Sequence, residues 1–213
     1  MRAVVCEAWG DPETLKLGEL PATARGPGQV RIRMRAAGVN FADTVLVRGN
    51  YQEKPAFPFA PGLEGAGEIL EVADNVTAFV PGDKVMAVVS SGGFAEEAVC
   101  NASTLFALPK GMDFPTAAAF PVAYGTSHLA LVHRANLKPG ETVLVLGAGG
   151  GVGLTAIECA KAIGATVIAA ASTSEKLALA AQRGADHLIN YTEADLRAEL
   201  RKLTDGKGVD VVY

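Results

Sequence analysis

Alternating apolar and polar residues mark the first part of the chain. Residues 29–36 read Q-V-R-I-R-M-R-A, so the apolar side chains face one way and three arginines face the other. This period of two predicts a strand with one buried and one solvated face. A short helix is predicted over 38–47. The predicted strands are 3–6, 14–17, 29–36, 62–72, 84–89, 94–99 and 105–108, a set typical of an antiparallel, barrel-like domain.

The spacing of apolar residues changes after Gly111. A helical stretch is predicted over 117–135, past Pro121, and strands then alternate with helices as in a parallel sheet. The predicted strands are 142–146, 166–171, 187–190 and 209–212. Two domains are therefore predicted, 1–120 and 121–213. The second is a doubly wound parallel sheet, truncated because only its first half and one further strand are present.

A glycine-rich turn, 147–153, connects the strand 142–146 to a predicted helix. Strand, glycine turn and helix form the first unit of a dinucleotide-binding fold, because glycine lets the backbone approach a pyrophosphate and the helix N-terminus presents N–H groups. The fingerprint has the form A-x-G-x-x-G, with an alanine in place of the first glycine. It consists of Ala148, Gly150 and Gly153. A turn that binds nothing is the alternative interpretation.

The end of the strand 166–171 bears on which dinucleotide is bound. Selective NAD binding usually requires an acidic residue there, about 20 residues after the glycine turn. The strand ends at Ala171 instead, and no acidic residue occurs over 166–174. Ser172 and Thr173 offer hydroxyls and Lys176 offers a positive charge to a 2′-phosphate, so NADPH is predicted over NADH. Ser172 is equally suited to cap the next helix in an S-x-x-E box, and Lys176 to be an ordinary surface lysine.

The bulk composition is that of a globular protein, with 49% hydrophobic and 20% charged residues. A net charge of −4 offers no general attraction for nucleic acid, so no nucleic-acid partner is predicted. Three scattered cysteines form neither a disulfide framework nor a zinc knuckle, which indicates a reducing compartment and a cytoplasmic location. No signal peptide is visible after Met1, and the most apolar region, 117–132, is too short to span a bilayer.

Four sequence blocks occur in a fixed order: G-V-N-F-A-D at 38–43, P-G-L-E-G-A-G-E-I at 61–69, P-G-D-K-V at 81–85 and A-G-G-G-V-G at 148–153. Together they resemble the medium-chain dehydrogenase/reductase superfamily and, within it, the zinc-free quinone oxidoreductase (zeta-crystallin-like) branch. The resemblance covers essentially the whole chain and implies a GroES-like domain followed by a Rossmann domain. One departure is Glu158, where this branch usually has glutamine.

The resemblance implies a reductase that transfers a hydride from NADPH to a quinone or another conjugated carbonyl acceptor. An enoyl or alkenal double-bond reductase is the second enzymatic interpretation. A non-enzymatic NADPH-binding protein is the third, because cofactor binding would look the same in its sequence. The loop 51–61 is expected to select the substrate, but its residue types do not indicate which one.

No metal site is predicted. Zinc-dependent members of the superfamily bind catalytic zinc through a Cys and a His, and Asn40 and Leu63 stand in those places here. Leucine cannot ligate zinc and an Asn amide is a poor ligand for it. Without this Lewis acid, alcohol oxidation is disfavoured and an acceptor activated by conjugation is favoured. The protein is therefore expected to contain no stoichiometric zinc.

By resemblance, residues 40–44 form the floor under the nicotinamide end of the cofactor, and Tyr51 points into the substrate cleft. From the residues themselves, Asp43 is as suited to cap a helix, and water is as plausible a proton source as Tyr51. The candidate catalytic residues are Asn40, Asp43 and Tyr51. The resemblance also implies further residues for cofactor binding, beyond those of the fingerprint and the 2′-phosphate site: Phe41, Ala42, Thr44, Thr126, Gly151, Val152 and Tyr191.

The expected partners are a small-molecule quinone or enone and, for a full-length protein, a second copy in a homodimer, with no membrane. The last predicted strand would be central in a complete doubly wound sheet but forms an open edge here. We therefore expect a chain of these 213 residues to be poorly stable or to associate irregularly, with little reductase activity. A longer chain is expected to be a well-behaved oligomer that oxidises NADPH.

Overall fold

Short strands and turns make up most of the chain up to residue 110 in the computed structural model, which describes all residues, 1–213. Residues Met1–Val122 form one compact unit. Its strands are β1 (Arg2–Val5), β2 (Lys16–Glu19), β3 (Gln29–Ala37), β4 (Glu64–Val72), β5 (Lys84–Val88), β6 (Glu97–Asn101) and β7 (Leu105–Ala107). Its helices are α1 (Phe41–Val47) and α2 (Phe114–Ala118), with single 3₁₀ turns at Pro12–Thr14 and Ala102–Thr104.

Five of these strands form one antiparallel sheet in the order β6-β3-β4-β5-β7, and β1 and β2 form a separate antiparallel pair. Strand β3 shows the predicted alternation: Val30 and Ile32 are fully buried. On its other face, Arg31 forms ion pairs with Glu71 and Glu97. Arg33 and Arg35 on this face are exposed, and Arg35 pairs with Glu68, so the arginines of β3 form a charge-paired outer face.

Two predicted strands of this unit were placed incorrectly. The strand predicted over 14–17 begins at Lys16, because Thr14 closes a 3₁₀ turn by donating its N–H and its hydroxyl to the Asp11 carbonyl oxygen at 2.9 and 2.7 Å. The strand predicted over 94–99 begins at Glu97, because Ala95 donates its N–H to the Gly92 carbonyl oxygen in a preceding turn.

Residues Ala123–Tyr213 form the second unit. Its strands are β8 (Thr142–Leu146), β9 (Thr166–Ala171), β10 (His187–Asn190) and β11 (Val211–Val212). They form a parallel sheet in the order β10-β9-β8-β11, so the strand order reverses at β8. The helices are α4 (Gly151–Ile163), α5 (Ser174–Gln182) and α6 (Leu196–Leu203), preceded by α3 (Pro121–His128), whose first two residues belong to the first unit, and a π-helical turn at Leu129–Arg134.

The single helix predicted over 117–135 is wrong, because three segments occupy this stretch. Helix α2 ends at Ala118, and α3 starts anew at Pro121. Proline has no N–H to continue a helix but fits the first position of a new one. The predicted strand 209–212 is shorter than expected, since the Asp210 carboxylate accepts a hydrogen bond from the Thr142 N–H (2.8 Å) at the point where the strand was to begin.

The predicted fold class is confirmed: an antiparallel strand-rich unit precedes a parallel sheet flanked by helices. The core of the second unit packs α4 against the sheet through fully buried residues, among them Val143, Val145 and Ile157. None of the helices is both long enough and apolar enough to cross a membrane.

Candidate functional site

The glycine turn lies where the strand order of the parallel sheet reverses. Ala148 is fully buried, and its N–H donates to the Ala170 carbonyl oxygen (3.1 Å), which ties the turn to β9. Gly147 has a φ of +60°, a conformation that glycine adopts without strain. Gly150 caps α4, and both Gly150 and Gly151 are exposed. Ligands of doubly wound sheets bind at this reversal point.

Two glycines of the turn leave no room for a side chain. A Cβ atom on Gly153 would lie 2.5 Å from the Gly147 carbonyl oxygen, so α4 packs directly against the turn. A Cβ atom on Gly149 would overlap the Lys176 side chain and lie 3.1 Å from the Lys176 Cα. Gly151, by contrast, faces open space. Backbone packing therefore holds the turn in place while its exposed edge stays accessible.

Two hydroxyls and a lysine gather at the carboxyl end of β9. The Lys176 Nζ lies 3.4 Å from the Ser172 Oγ, and Lys176 is exposed without a carboxylate partner. Thr173 caps α5, because its Oγ1 accepts a hydrogen bond from the Lys176 N–H at 3.4 Å. The prediction that Ser172 could cap this helix is therefore wrong. Ser172 belongs to the bend after β9, which leaves its hydroxyl beside the lysine.

The end of β10 lies next to this group. Tyr191 follows β10, is 44% exposed and donates its N–H to the Ala171 carbonyl oxygen (3.2 Å). Thr192, which the sequence analysis missed, donates its hydroxyl to the Ser172 carbonyl oxygen (3.2 Å). The available sequence signal was a hydroxyl residue two positions after the end of β10. The structure thus brings Ser172, Tyr191 and their neighbours together beside the glycine turn.

Helix α3 is anchored to the first turn of α4 by buried hydroxyls. The Ser127 Oγ lies 2.8 Å from the Thr155 Oγ1, and both hydroxyls donate to the Val152 carbonyl oxygen (3.1 and 3.0 Å). Ser127 is fully buried. Thr126, the predicted cofactor-binding residue, is its exposed neighbour. This network fixes the backbone that carries both Thr126 and Val152.

The remaining cofactor candidates lie at the start of α1. Asn40 is the N-cap, and its N–H donates to the Asp43 Oδ2 (2.7 Å) in a capping box. Asp43 is only 4% exposed, so it acts structurally as a capping residue, one of the two roles that its sequence position allowed. Phe41 is 81% exposed, and the Thr44 hydroxyl donates to the Phe41 carbonyl oxygen (2.7 Å). Ala42 is half-buried between them.

Glu64 is a second residue that the sequence analysis missed. It opens β4, is 1% exposed, and accepts hydrogen bonds from the Asn40 Nδ2 and the Val122 N–H, each at 2.7 Å. Burial raises the pKa of Glu64, and the neighbouring Asp43 carboxylate raises it further, against the effect of the two hydrogen bonds. Burial also raises the pKa of Asp43. Strand β4 contains two further glutamates, Glu68 and Glu71, which are less buried, so nothing in the sequence alone set Glu64 apart.

Tyr51 is half-buried and packs against an apolar cluster that includes Leu46, Phe59 and Leu63. Leu63 is 7% exposed, so the side chain that replaces a zinc-binding histidine belongs to the core of this unit. Asn40, at the other replaced position, donates to Glu64 instead. No group of three His, Cys, Asp or Glu residues in the chain is placed to hold a metal ion.

Glu158 connects two side chains within the second unit. It accepts a hydrogen bond from the Tyr124 hydroxyl and pairs with the Arg183 guanidinium at 2.7 Å. The hydrogen bond to this carboxylate, followed by burial, raises the pKa of Tyr124 to about 12. The glutamate at this position therefore supplies a charge that the usual glutamine would lack.

Comparisons with known proteins agree with this arrangement. A family model described as alcohol dehydrogenase GroES-like domain matches residues 26–110, and one described as zinc-binding dehydrogenase matches residues 151–213. A probable oxidoreductase of Mycobacterium abscessus is 36% identical in sequence, with a TM-score of 0.90, and the match covers all of this chain and 68% of the other. The chain belongs to the medium-chain dehydrogenase/reductase superfamily, in its quinone oxidoreductase-like branch.

Other members of this branch are similar over the whole chain. Quinone oxidoreductase-like protein 2 of Mus musculus is 42% identical over 211 residues, which cover 99% of this chain and 60% of the mouse protein. The quinone oxidoreductase of Escherichia coli, solved in complex with NADPH, is 32% identical with a TM-score of 0.91, covering all of this chain and 65% of that one. The chain spans 58–60% of the length of the first curated relatives that it matches.

Proposed function

We propose that this chain is part of a reductase that transfers a hydride from NADPH to a quinone or another conjugated carbonyl acceptor without zinc. The observation that carries the proposal is the tight glycine turn whose Gly149 packs on Lys176, with the Ser172 hydroxyl beside that lysine. The quinone oxidoreductase names of the relatives and the NADPH complex of the Escherichia coli protein support it.

The residues fit a dinucleotide. A side chain at Gly149 or Gly153 would collide with its neighbours, while Gly150 and Gly151 are exposed at the first turn of α4. The N–H groups of a first helical turn have no partners within the helix, and the helix dipole favours a negative charge there. We assign the pyrophosphate to Ala148, Gly150, Gly151, Val152 and Gly153, with Thr126 as a further contact.

We assign the 2′-phosphate of NADPH to Ser172, Thr173, Lys176 and Tyr191. Lys176 has no carboxylate to neutralise it, and the carboxyl end of β9 carries no acid that would favour NADH. A phosphate accepts charge-assisted hydrogen bonds from an ammonium group and ordinary ones from hydroxyls. This set distinguishes NADPH from NADH by one charged group.

Lys176→Ala is expected to raise the Kd for NADPH about tenfold, the effect of losing one charge-assisted hydrogen bond, and to leave the Kd for NADH nearly unchanged. Fluorescence titration with each cofactor measures both constants. Lys202→Ala is the control, because Lys202 is an exposed lysine that pairs with Glu199 on α6 of the same unit. Equal weakening of both cofactors would contradict the assignment.

Bound NADPH would supply a hydride to the acceptor. The role of the chain is to position the reactants and to exclude water. We assign Asn40, Phe41, Ala42 and Thr44 to the nicotinamide end, with Asp43 holding the start of α1 in place through its capping box. We assign Tyr51 to the substrate; the proton that completes reduction comes from its hydroxyl or from water.

Steady-state oxidation of NADPH with a panel of quinones and enones tests the proposed reaction, using the protein in its natural full length. We expect turnover with quinones and no stoichiometric zinc by elemental analysis, because Leu63 lies in an apolar cluster and Asn40 donates to Glu64. Turnover confined to enones would instead indicate a double-bond reductase. NADPH binding without any turnover would indicate a non-enzymatic protein.

Two further assignments belong to this proposal. The full-length protein is assigned a homodimeric state, as the resemblance implies. The cytoplasmic location rests on the three cysteines, none of which forms a disulfide.

A further inference from the structure

The Glu64 carboxylate has no cation near it, although it is almost completely buried. Glu64 takes part in none of the ion pairs of the chain, and its two oxygens accept from the Asn40 Nδ2 and the Val122 N–H at 2.7 Å. A Cβ atom on Gly38 would overlap this carboxylate, so the backbone also closes over it. Burying a carboxylate without a cation costs free energy. Packing alone therefore does not explain why a glutamate is buried at this position.

The hydrogen-bond chemistry of these partners determines which way the Asn40 amide faces. A backbone N–H can only donate, and both oxygens of an ionised carboxylate can only accept. Asn40 must therefore turn its NH₂ group towards Glu64 and its carbonyl oxygen, Oδ1, away from it. The Oδ1 atom faces the capping box at the start of α1 and has a second lone pair that the cap does not use.

We propose that Glu64 is a positioning residue that makes Asn40 present a hydrogen-bond acceptor, and that Asn40 thereby binds a donor group of the cofactor rather than a carbonyl oxygen of the acceptor substrate. This proposal rests on the proposed function. NADPH carries suitable donors in its ribose hydroxyls and its carboxamide NH₂, whereas a quinone has only acceptor oxygens. Asn40 is therefore assigned to cofactor binding and not to polarising the quinone.

The Glu64→Gln variant inverts this arrangement. Its Oε1 must face the Val122 N–H, because that group can only donate, so its Nε2 faces Asn40. Asn40 then has to rotate its amide, turning Oδ1 towards residue 64 and its NH₂ towards the capping box and the ligand. The side-chain volume is nearly unchanged while the acceptor becomes a donor.

The double variant N40D/E64Q restores the acceptor. Its aspartate accepts from the glutamine Nε2 with one oxygen and presents the other oxygen as an acceptor. Asn40→Asp alone, in contrast, places two carboxylates within hydrogen-bond distance of each other, which is unfavourable when both are ionised. The two single variants are thus expected to be poor and the double variant to recover, a non-additive pattern that independent structural damage would not produce.

The test is the Kd for NADPH, and the KM for a quinone, of wild type, E64Q, N40D and N40D/E64Q in the natural full-length protein. E64Q is expected to raise the Kd for NADPH about tenfold with little change in the KM for the quinone, and the double variant to return the Kd to within about threefold of wild type. The control is Glu68→Gln, which changes a carboxylate on the outer face of β4 that pairs with Arg35. Its Kd should equal that of wild type.

An unchanged Kd in E64Q, or a double variant no better than the poorer single variant, would overturn the proposal while leaving the proposed function intact. If the wild type itself does not bind NADPH, the proposed function is contradicted. The proposal about Asn40 then fails as well, because its ligand is NADPH. A second measurement does not depend on how well the variants fold. In nitrogen-15 NMR spectra of the wild type, the Asn40 NH₂ protons should exchange slowly with water, and fast exchange would overturn the Asn40–Glu64 contact.

Discussion

At the level of single residues, each of the two units contains a glutamate whose hydrogen-bond partners lie far away in the sequence. Glu64 accepts hydrogen bonds from Asn40, 24 positions away in the sequence, and from Val122, 58 positions away. Glu158 accepts hydrogen bonds from Tyr124, 34 positions away, and from Arg183, 25 positions away. The sequence identified Asn40 as a candidate and Glu158 as a departure from its branch. It could not predict their partners, because those contacts exist only after β3, β4 and the helices have packed.

The Glu158–Tyr124 contact makes a prediction about pH. The carboxylate raises the pKa of Tyr124 to about 12, so the folded state holds this proton more tightly than an unfolded chain, whose tyrosines ionise near pH ~10. This contribution to stability is complete below pH ~10 and is lost as the pH rises through the folded value. In Glu158→Gln a neutral amide replaces the carboxylate, so both the charge-assisted hydrogen bond and the negative charge are lost, and the pKa of Tyr124 should fall towards ~10.

Ultraviolet difference titration of tyrosinate measures this shift. At about pH 11, Tyr124 should be mostly protonated in the wild type and mostly ionised in E158Q. The Tyr124→Phe variant removes this phenol and leaves the other three tyrosines unchanged. The difference between its titration curve and that of the wild type is therefore the contribution of Tyr124 to the tyrosinate absorbance. Identical titration curves for wild type and E158Q would show that the carboxylate does not act on Tyr124.

At the scale of elements, periodicity predicted those strands whose partners bury one face. Strand β3 was predicted within one residue of its observed bounds, since Val30 and Ile32 point into the core while the arginines point out. Strands β8, β9 and β10 were predicted with their observed bounds, because apolar runs between helices indicate buried parallel strands. Periodicity failed at 117–135, where Pro121 restarts the helix.

The packing of the glycine turn against α4 and α5 makes a prediction about two neighbouring glycines. In Gly149→Ala, the new Cβ would overlap the Lys176 Cβ, an atom next to the α5 backbone that has no freedom to move away. We expect a loss of roughly 1–3 kcal/mol of stability, as for other overpacked positions, and weaker NADPH binding. Gly151→Ala is the matched control, since nothing lies within 4 Å of its new Cβ and alanine favours the helix.

Urea unfolding followed by circular dichroism compares the two variants. The midpoint for G149A should be lower than that of wild type, and the midpoint for G151A should be equal or slightly higher. Equal midpoints for the two variants would show that the turn and α5 are not packed as closely as the structure places them.

At the scale of the whole molecule, the order of two different units was predictable because each has its own periodicity. Period-two alternation characterises Met1–Val122, and apolar strands between helices characterise Ala123–Tyr213. The glycine turn at the reversal of strand order identified the dinucleotide fold, and the four sequence blocks identified the superfamily. The acceptor substrate could not be read in this way, because the residue types of the loop 51–61, which we propose selects it, do not indicate a substrate.

Anaerobic single-turnover mixing shows whether the protein transfers a hydride from NADPH to a quinone. The natural full-length protein, loaded with one equivalent of NADPH, is mixed with excess quinone while the absorbance of the reduced nicotinamide is followed. We expect rapid loss of this absorbance, one hydroquinone formed for each NADPH consumed, and the same rate in the presence of a zinc chelator. NADPH that stays reduced in the presence of quinone, or a reaction that stops when zinc is chelated, would contradict it.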